Sequence, residues 1–351
     1  MNKSLAVQYR PTKWEDVTEQ KEIVHILQQQ IASNSVRGAY CFVGAAGTGK
    51  TTCARIFANE MNDGKGSPIE MDAASNNGVD DVREISSLAK TQPIDGGYYK
   101  VFILDEAHMF SAGAWAAMLK LIEEPPARCV FILCTTDYWK IPKTIQSRCQ
   151  RFQFQRISQF GIVQRLKWIC DNEGIARYSD NAMLPDDNYA TTSALKYIAK
   201  IADGCMRDGI TMLDKCLAYS KELTMENVTK ALGLSNLDDF VSLTDSLLTF
   251  DKKSILSNLE RMYADGVDIK QFMKDFVDFV LDVNKYLITG SFDYINIPRT
   301  EEMEKWLSGY EGKLQDLNDL LAMVVRVNQD IKWDSNPLYT IQANFILWGA
   351  E

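Results

Sequence analysis

The segment GAAGTGKT, residues 44–51, constrains the fold of this chain more than any other feature. It follows the apolar run AYCFV and precedes a stretch with helical spacing, so it fits G-x-x-x-x-G-K-[ST] between a strand and a helix. In that context the glycines let backbone N–H groups curl around phosphates, and the helix N-terminus adds its positive dipole end. The segment therefore predicts a phosphate-binding loop.

The loop motif predicts which residues bind ATP and which bind magnesium. Lys50 is expected to reach the β- and γ-phosphates, and Thr51 to ligate Mg²⁺. The residues predicted to surround the ATP phosphates are Gly44, Ala45, Ala46, Gly47, Thr48, Gly49, Lys50, Thr51 and Thr52.

A second motif, KVFILDEAH, ends an apolar run with two carboxylates. At the C-terminal end of a buried strand beside the loop, Asp105 can hold Mg²⁺ through water, and Glu106 can orient and deprotonate an attacking water. A glutamate directly after the metal aspartate has a role in water activation. The pair therefore predicts ATP hydrolysis, with Asp105 as a magnesium ligand and Glu106 as the base.

The segment CTTDYWKIPKTIQSRCQRF supplies two further candidates. Thr136, with Thr135 as the alternative, ends the fourth apolar run, where a hydroxyl can hydrogen-bond the γ-phosphate or the water. Arg148 has the planar fork that stabilises charge on a transferring phosphoryl group. Its spacing alone fits a surface arginine or a helix-end partner at least as well.

Arg207 in ADGCMRDG opens a predicted helix after a glycine. It can reach across a cleft to the γ-phosphate and couple nucleotide state to domain angle. From spacing alone, a weak surface pair with Asp203 or Asp208 is the simpler interpretation.

Short apolar runs alternate with helical patterns over residues 1–156. The first four apolar runs suit a buried parallel sheet, and the intervening segments have amphipathic faces. This alternation predicts a doubly wound α/β domain. The runs are AYCFVG, PIEMD, KVFILDE, CVFILCTT and RFQF, and the helical faces are Ile23, Ile26, Leu27 and Ile31, and Val79, Val82, Ile85 and Leu88.

The strand signal disappears after about residue 156. Helical spacing broken by glycines predicts a small helical domain over 157–234, with an exposed polar loop at 178–192. Residues 235–351 have helical spacing and no polar constellation, so we expect an all-helical domain that serves assembly.

Composition bounds the partners and the compartment. The net charge of −9 means that nucleic acid must meet a local basic surface. The eight cysteines include no CxxC pair, which predicts no zinc site. No signal stretch or membrane-length apolar run is present, and we expect a cytoplasmic protein without membrane contact.

The order of the motifs resembles one family, the gamma/tau ATPase subunits of the bacterial DNA polymerase III clamp loader. The resemblance is dense over residues 5–233. The segments that carry it are YRPTKWEDVTEQ, GAAGTGKT, EMDAASNNGVDDVREI, VFILDEAHMFS, MLKLIEEPP, FILCTTD, IPKTIQSRCQRF and ADGCMRDGITMLDKC.

The resemblance implies an AAA+ ATPase domain, a helical lid and a collar domain that joins subunits in a five-membered ring. Arg148 is then the arginine finger that acts on ATP held by the neighbouring subunit, and Arg207 is the lid sensor. The residues implied to pack around the adenine are Tyr9, Arg10, Pro11 and Val17.

The implied function is ATP-driven opening and placement of a ring-shaped sliding clamp on primed DNA. The implied partners are other clamp-loader subunits, copies of this chain, the clamp and primer-template DNA. A bacterial cell or a phage replication system is the implied setting.

DNA contacts are predicted at two helix starts, whose N-termini can point at phosphates. Helix capping is the alternative role for these residues. The candidates are Asn76, Asn77, Ser111 and Arg83. The face formed by Trp115, Met118, Leu119 and Ile122 is interpreted as core.

Two departures from the family pattern limit these expectations. The four-cysteine zinc module is replaced by the short turn in NEMNDGKGSPIEMD, and the sequence stops at Glu351 without the tail of the longer tau form, so polymerase coupling is not predicted. The alternatives are a non-hydrolysing scaffold subunit and another AAA+ machine, such as a Holliday-junction motor or an initiator ATPase. The motifs LIEEPP and SRC oppose the second alternative.

Overall fold

The computed structural model describes residues 4–93, 96–178, 189–232, 237–297 and 299–349. The chain divides into two compact units, Met1–Leu223 and Thr224–Glu351. The finer division into domains at 1–156, 157–234 and 235–351 stays a prediction. Among the described residues, no helix is long and apolar enough to cross a membrane.

A five-stranded parallel sheet organises the first unit, in the order β2-β3-β4-β1-β5. Its strands are β1 (Ala39–Val43), β2 (Ile69–Asp72), β3 (Lys100–Asp105), β4 (Cys129–Thr135) and β5 (Gln150–Gln153). After β1 the chain passes to the far edge and returns to β1 by way of β3 and β4. Ligands bind at the carboxyl ends of the strands in such sheets, so the loop after β1 lies at a binding edge.

Helices cover both faces of this sheet, as the predicted doubly wound fold requires. One core joins the sheet to α4 and α5 through buried residues such as Ile85 and Met118, and the other joins it to α2 and α3 through Leu27 and Phe57. The helices of this unit are α1 (Leu5–Gln8), α2 (Lys21–Ala32), α3 (Lys50–Met61), α4 (Val79–Ala89), α5 (Ala112–Glu123), α6 (Lys143–Gln146), α7 (Gln159–Asn172), α8 (Thr192–Ile201) and α9 (Met206–Tyr219).

Two burial predictions need correction. Strand β2 alternates half-buried and exposed residues, because it is a short edge strand with a neighbour on one side only. In α2, Ile23 and Leu27 are buried, whereas Ile26 is 42% exposed because it lies at the border of the helical face. The face of α5 with Trp115, by contrast, packs into the core as interpreted.

A second, small parallel sheet also lies in the first unit, where the sequence predicted only helices beyond residue 156. Its strands are β6 (Ala176–Tyr178), β7 (Tyr189–Thr191) and β8 (Glu222–Leu223). Strands of two or three residues are too short to show an alternating pattern. Of the predicted loop at 178–192, residues 179–188 lie outside the described residues.

The second unit is helical throughout its described residues, as predicted. Its helices are α10 (Met225–Leu232), α11 (Leu237–Leu248), α12 (Lys252–Ala264), α13 (Ile269–Thr289), α14 (Glu301–Ser308), α15 (Leu314–Asp330) and α16 (Pro337–Leu347). Helix α13 is the centre of the core, where Phe272 and Phe276 stack one turn apart. Asp268 caps its first turn, and Gly290, at φ 65°, ends it.

Candidate active site

The phosphate-binding loop connects β1 to α3. Gly49 has a φ of 101° at the N-cap of α3, and Gly47 has a φ of 67°, which are conformations that glycine adopts without steric cost. A Cβ atom at Gly47 would also collide with Cys205 Sγ. The loop therefore needs glycine both for its own curvature and for close approach of the segment that contains Cys205.

Lys50 is 6% exposed, and its Nζ donates hydrogen bonds to Gly44 O at 2.9 Å and Ala45 O at 2.8 Å. Burial lowers the pKa of Lys50, and nearby groups that include Glu106 and Asp105 oppose that effect. The ammonium group is thus held inside the loop, and two carboxylates favour its charged form. A lysine in this position is placed to meet phosphate oxygens.

Thr51 and Asp105 meet at the beginning of α3 and the end of β3. Thr51 Oγ1 donates to Asp105 Oδ2 at 2.8 Å. A hydroxyl and a carboxylate are oxygen ligands of the kind that Mg²⁺ prefers. In proteins this ion is usually held by one or two protein groups together with substrate phosphates. The donor set that converges here fits a magnesium ion beside the loop.

Glu106 directly follows β3 and has an unusual backbone conformation, with φ 46° and ψ 40°. Its Oε2 accepts a hydrogen bond from Thr136 Oγ1 at 3.3 Å and lies 3.4 Å from His108 Nδ1. The same His108 nitrogen is 3.1 Å from Thr135 Oγ1, and Thr135 is fully buried. Thus Thr136 contacts the candidate base directly, whereas Thr135 reaches it only through His108.

The phosphate-binding loop, Asp105 and Glu106 line a cleft, and the N-terminus of α9 closes it from the other side. Met206 N donates to Gly47 O at 3.1 Å, which ties the start of this helix to the loop. Arg207 lines the cleft together with the loop, Asp105 and Glu106. The surface pair weighed for Arg207 is not formed with Asp203, because Asp203 pairs with Arg156.

One end of the cleft is formed by the N-terminal segment, as implied for adenine. The predicted residues Tyr9, Arg10, Pro11 and Val17 all line it. Burial, with a 2.6 Å hydrogen bond from the Tyr9 hydroxyl to Glu173, raises the pKa of Tyr9 to about 12. The hydroxyl anchors this segment to Glu173, the residue that directly follows α7.

Arg165 of α7 lines the same end of the cleft and was not predicted. Its Nη2 donates to Tyr9 O at 2.8 Å, and its guanidinium carbon lies 4.2 Å from the centre of the Trp168 ring. Burial lowers its pKa. The run RLKW reads as one turn of an amphipathic helix, so no signal in the sequence separates this arginine from a surface residue.

Arg148 does not line this cleft. It follows α6, where its Nη1 donates to Thr144 O at 2.8 Å, and its Nη2 donates to Glu123 Oε1 at 2.7 Å. The helix-end interpretation is therefore realised in the structure, and it leaves open a further role toward a neighbouring molecule.

The candidate DNA residues also lie outside the cleft and have local partners. Ser111 Oγ accepts from Ala114 N at the start of α5, and Asn76 Nδ2 donates to Asp72 O. Arg83 pairs with Asp80, and Asn77 O accepts from Ser111 N. For Ser111 the capping role is realised.

Comparison with solved structures defines the class of protein. The structure of the Thermotoga maritima RuvB Holliday junction branch migration motor matches with a TM-score of 0.52 at 16% identity, over 74% of this chain and 86% of that chain. At this identity the likeness concerns the fold. The chain shares the fold of this motor, and its candidate cleft lies at the carboxyl edge of the sheet.

Comparison of sequences identifies the family. The family described as DNA polymerase III, delta subunit, matches residues 65–158, and the one described as DNA polymerase III subunits gamma and tau domain III matches residues 223–343. The DNA polymerase III subunit gamma of Buchnera aphidicola subsp. Schizaphis graminum is 32% identical over 79% of this chain and 78% of its own length. The chain belongs to the family of gamma and tau subunits of DNA polymerase III, which confirms the resemblance of the motifs.

Other relatives are longer than the matched region. The Bacillus subtilis DNA polymerase III subunit tau is 33% identical over 94% of this chain, and the Mycoplasma pneumoniae subunit gamma/tau is 32% identical over 83%. The chain spans 60% and 44% of the lengths of these two relatives.

Proposed function

We propose that this chain is the ATP-hydrolysing subunit of a DNA sliding-clamp loader, which opens a ring-shaped clamp and places it on primer-template DNA. The observation that supports this most is the composition of one cleft. It gathers the phosphate-binding loop, Asp105, Glu106 and Arg207, while the candidate arginine finger Arg148 lies outside it. The cleft can thus bind and hydrolyse nucleotide, and its transition state is completed by another subunit.

In the proposed site, backbone N–H groups of the loop and the N-terminus of α3 bind the ATP phosphates, and Lys50 exchanges its loop carbonyls for phosphate oxygens. Thr51 and Asp105 hold Mg²⁺, which neutralises charge on the β- and γ-phosphates when it is bound. Tyr9, Arg10, Pro11 and Val17 surround the adenine.

Glu106 is the proposed base. It takes a proton from the water that attacks the γ-phosphorus, as the bond from this phosphorus to the oxygen of the ADP leaving group breaks. The contact with Thr136 orients the carboxylate, and so Thr136 is assigned as the sensor residue at the end of β4. Arg207 connects the γ-phosphate to α9.

Arg148 is proposed to act on ATP that a neighbouring subunit holds. An arginine finger contributes about 10³ to 10⁵ in rate, which corresponds to roughly 4–7 kcal/mol of transition-state stabilisation. ATP can favour the assembled state only through contacts that the other state lacks, and Arg148 and Arg207 would supply such contacts.

The family supports the proposed partners, which are copies of this chain and other clamp-loader subunits in a ring of five, the sliding clamp, and primed DNA. Asn76, Asn77, Ser111 and Arg83 remain the proposed DNA contacts. The setting is the cytoplasm of a bacterial cell, whether the gene is bacterial or phage-borne.

The alternatives are weaker. A silent scaffold has no need for Lys50, Asp105 and Glu106 in one cleft. The Holliday junction motor shares the fold alone, whereas residues 223–343 match domain III of gamma and tau subunits.

The proposal is tested by steady-state ATP hydrolysis of the chain mixed with its candidate clamp and partner subunits, with and without primed DNA. Clamp and primed DNA together should stimulate turnover. Arg148→Ala should lower the stimulated rate at least about 10³-fold, while the affinity for ATP stays within a few-fold of that of the unmodified chain.

Arg128→Ala is the matched control. This arginine directly precedes β4, does not line the cleft and holds its guanidinium over the Tyr98 ring, so its loss should leave turnover unchanged. Hydrolysis that is indifferent to clamp and DNA contradicts the clamp-loader function and leaves the ATPase chemistry standing.

A further inference from the structure

Arg148 is held by three acceptors of its own chain. Its Nη1 donates to Thr144 O at 2.8 Å and to Ser147 Oγ at 3.4 Å, and its Nη2 donates to Glu123 Oε1 at 2.7 Å. Thr144 belongs to α6, and Ser147 lies between this helix and Arg148. Glu123 is the only one of the three that comes from another element and the only one that carries a charge.

Glu123 lies at a position where the backbone is well anchored. It is the last residue of α5, and the preceding Ile122 is buried in the core. Pro125, two residues on, packs against Gly38 so closely that a Cβ atom there would lie 2.5 Å from Pro125 Cγ. The carboxylate is therefore presented by a helix end that is anchored on both sides.

This ion pair has little to contribute to stability. The side chains of Arg148 and Glu123 are 34% and 50% exposed, and ion pairs at such exposure contribute little to the free energy of unfolding. Its effect on geometry is larger. A free arginine side chain samples many rotamers, and fixing it in one of them has an entropic cost. Three acceptors fix it in advance and leave N–H groups of the guanidinium available.

We propose that Glu123, in the segment LIEEPP, is the positioning residue of Arg148. It holds the guanidinium in the orientation from which it reaches the phosphate of the neighbouring subunit. This inference rests on the proposed function, in which Arg148 acts in trans. Glu123 itself touches no nucleotide, so its contribution appears in the turnover of the neighbour's site and not in ATP binding by its own chain.

A hybrid assay isolates this effect. One full-length chain carries Arg148→Ala and keeps an intact cleft, and the other carries Glu106→Gln and supplies only its arginine. The two are mixed with partner subunits, clamp and primed DNA, so that ATP turnover arises where the intact cleft meets the intact arginine. The substitution to be tested is then placed in the chain that supplies the arginine.

Glu123→Ala in the supplying chain should lower the hybrid kcat about ten- to a hundredfold with KM for ATP unchanged, since small misplacements of a catalytic group have costs of this size. Glu123→Gln retains a carbonyl acceptor and should recover part of the rate. Glu124→Ala is the matched control, because this adjacent glutamate is also exposed and has no side-chain hydrogen bond or ion pair recorded among the described residues. It should leave the rate unchanged.

The outcomes separate the two proposals. If the hybrid with unmodified Glu123 shows no turnover, the trans role of Arg148 fails and the inference fails with it. If that hybrid turns over and Glu123→Ala matches Glu124→Ala, the positioning role alone is overturned. A higher rate with Glu123→Ala also overturns it, because Glu123 then restrains the arginine. Equal ATP affinity and thermal unfolding midpoints exclude misfolding of the supplying chain.

Discussion

At the scale of single residues, the backbone of Glu106 is the most informative feature. A glutamate in the left-handed region costs on the order of 1–3 kcal/mol, and such conformations persist where the surroundings impose them, often at active sites. Here Asp105 Oδ1 accepts a hydrogen bond from Glu106 N, and Thr136 contacts the carboxylate. The strain lies at the residue that is proposed to accept the proton.

Glu106→Gln should therefore abolish hydrolysis and spare binding. The amide keeps the size of the side chain and an acceptor for Thr136, but it cannot take a proton from water. General-base catalysis contributes about 10²–10⁴ in rate, and we expect single-turnover hydrolysis to fall by at least that lower figure. Glu124→Gln serves as the control. Normal turnover by the Glu106 variant contradicts the assignment of the base.

The residues of the site were predictable to different degrees. The loop residues, Asp105 and Glu106 carry a motif whose chemistry depends on residue type and order. Arg165 carries no such motif, because its role follows from the packing of α7 against the N-terminal segment. Its partner in that segment, Tyr9, is more than 150 residues away in the sequence. The positive φ of Glu106 could not be predicted either, since glycine is the residue that indicates such a conformation in a sequence.

At the scale of elements, the contact between the loop and α9 is the one that connects chemistry to conformation. Met206 N bonds to Gly47 O, and Cys205 Sγ occupies the space where a side chain at Gly47 would lie. We expect this contact to transmit movement of bound phosphates to the helix that carries Arg207.

Gly47→Ala tests this contact. The substitution imposes left-handed strain of about 1–2 kcal/mol and also displaces Cys205, so both ATP affinity and stability should fall. Gly174→Ala is the matched control, since Gly174 has a φ of 71° and nothing within 4 Å of the added Cβ. Thermal unfolding and nucleotide binding are measured for both. Equal losses in the two variants contradict a specific role for the contact.

Most strands of the main sheet could be predicted from the sequence. The five runs predicted as strands became the five strands of the main sheet, and β1, β3 and β4 are short, apolar and buried as parallel strands commonly are. The position of β2 at the edge was not readable, since strand order depends on connections and not on composition. The three strands of the small sheet were missed because each has at most three residues.

At the scale of the whole molecule, the two compact units have different relations to function. The unit Met1–Leu223 contains every residue that lines the candidate active-site cleft. The unit Thr224–Glu351 is an aromatic helical core, and among its described residues we assign none to chemistry. Helical spacing predicted this second core, and the match of residues 223–343 to domain III connects it with a family.

The central claim is that each cleft hydrolyses ATP only with an arginine from a neighbouring subunit. The most direct test mixes Arg148→Ala chains with Glu106→Gln chains, in the presence of partner subunits, clamp and primed DNA, and measures ATP turnover. Each variant alone should be nearly inactive, and the mixture should recover a substantial part of the normal rate, because some interfaces then combine an intact cleft with an intact Arg148. A mixture no more active than either variant alone contradicts the claim.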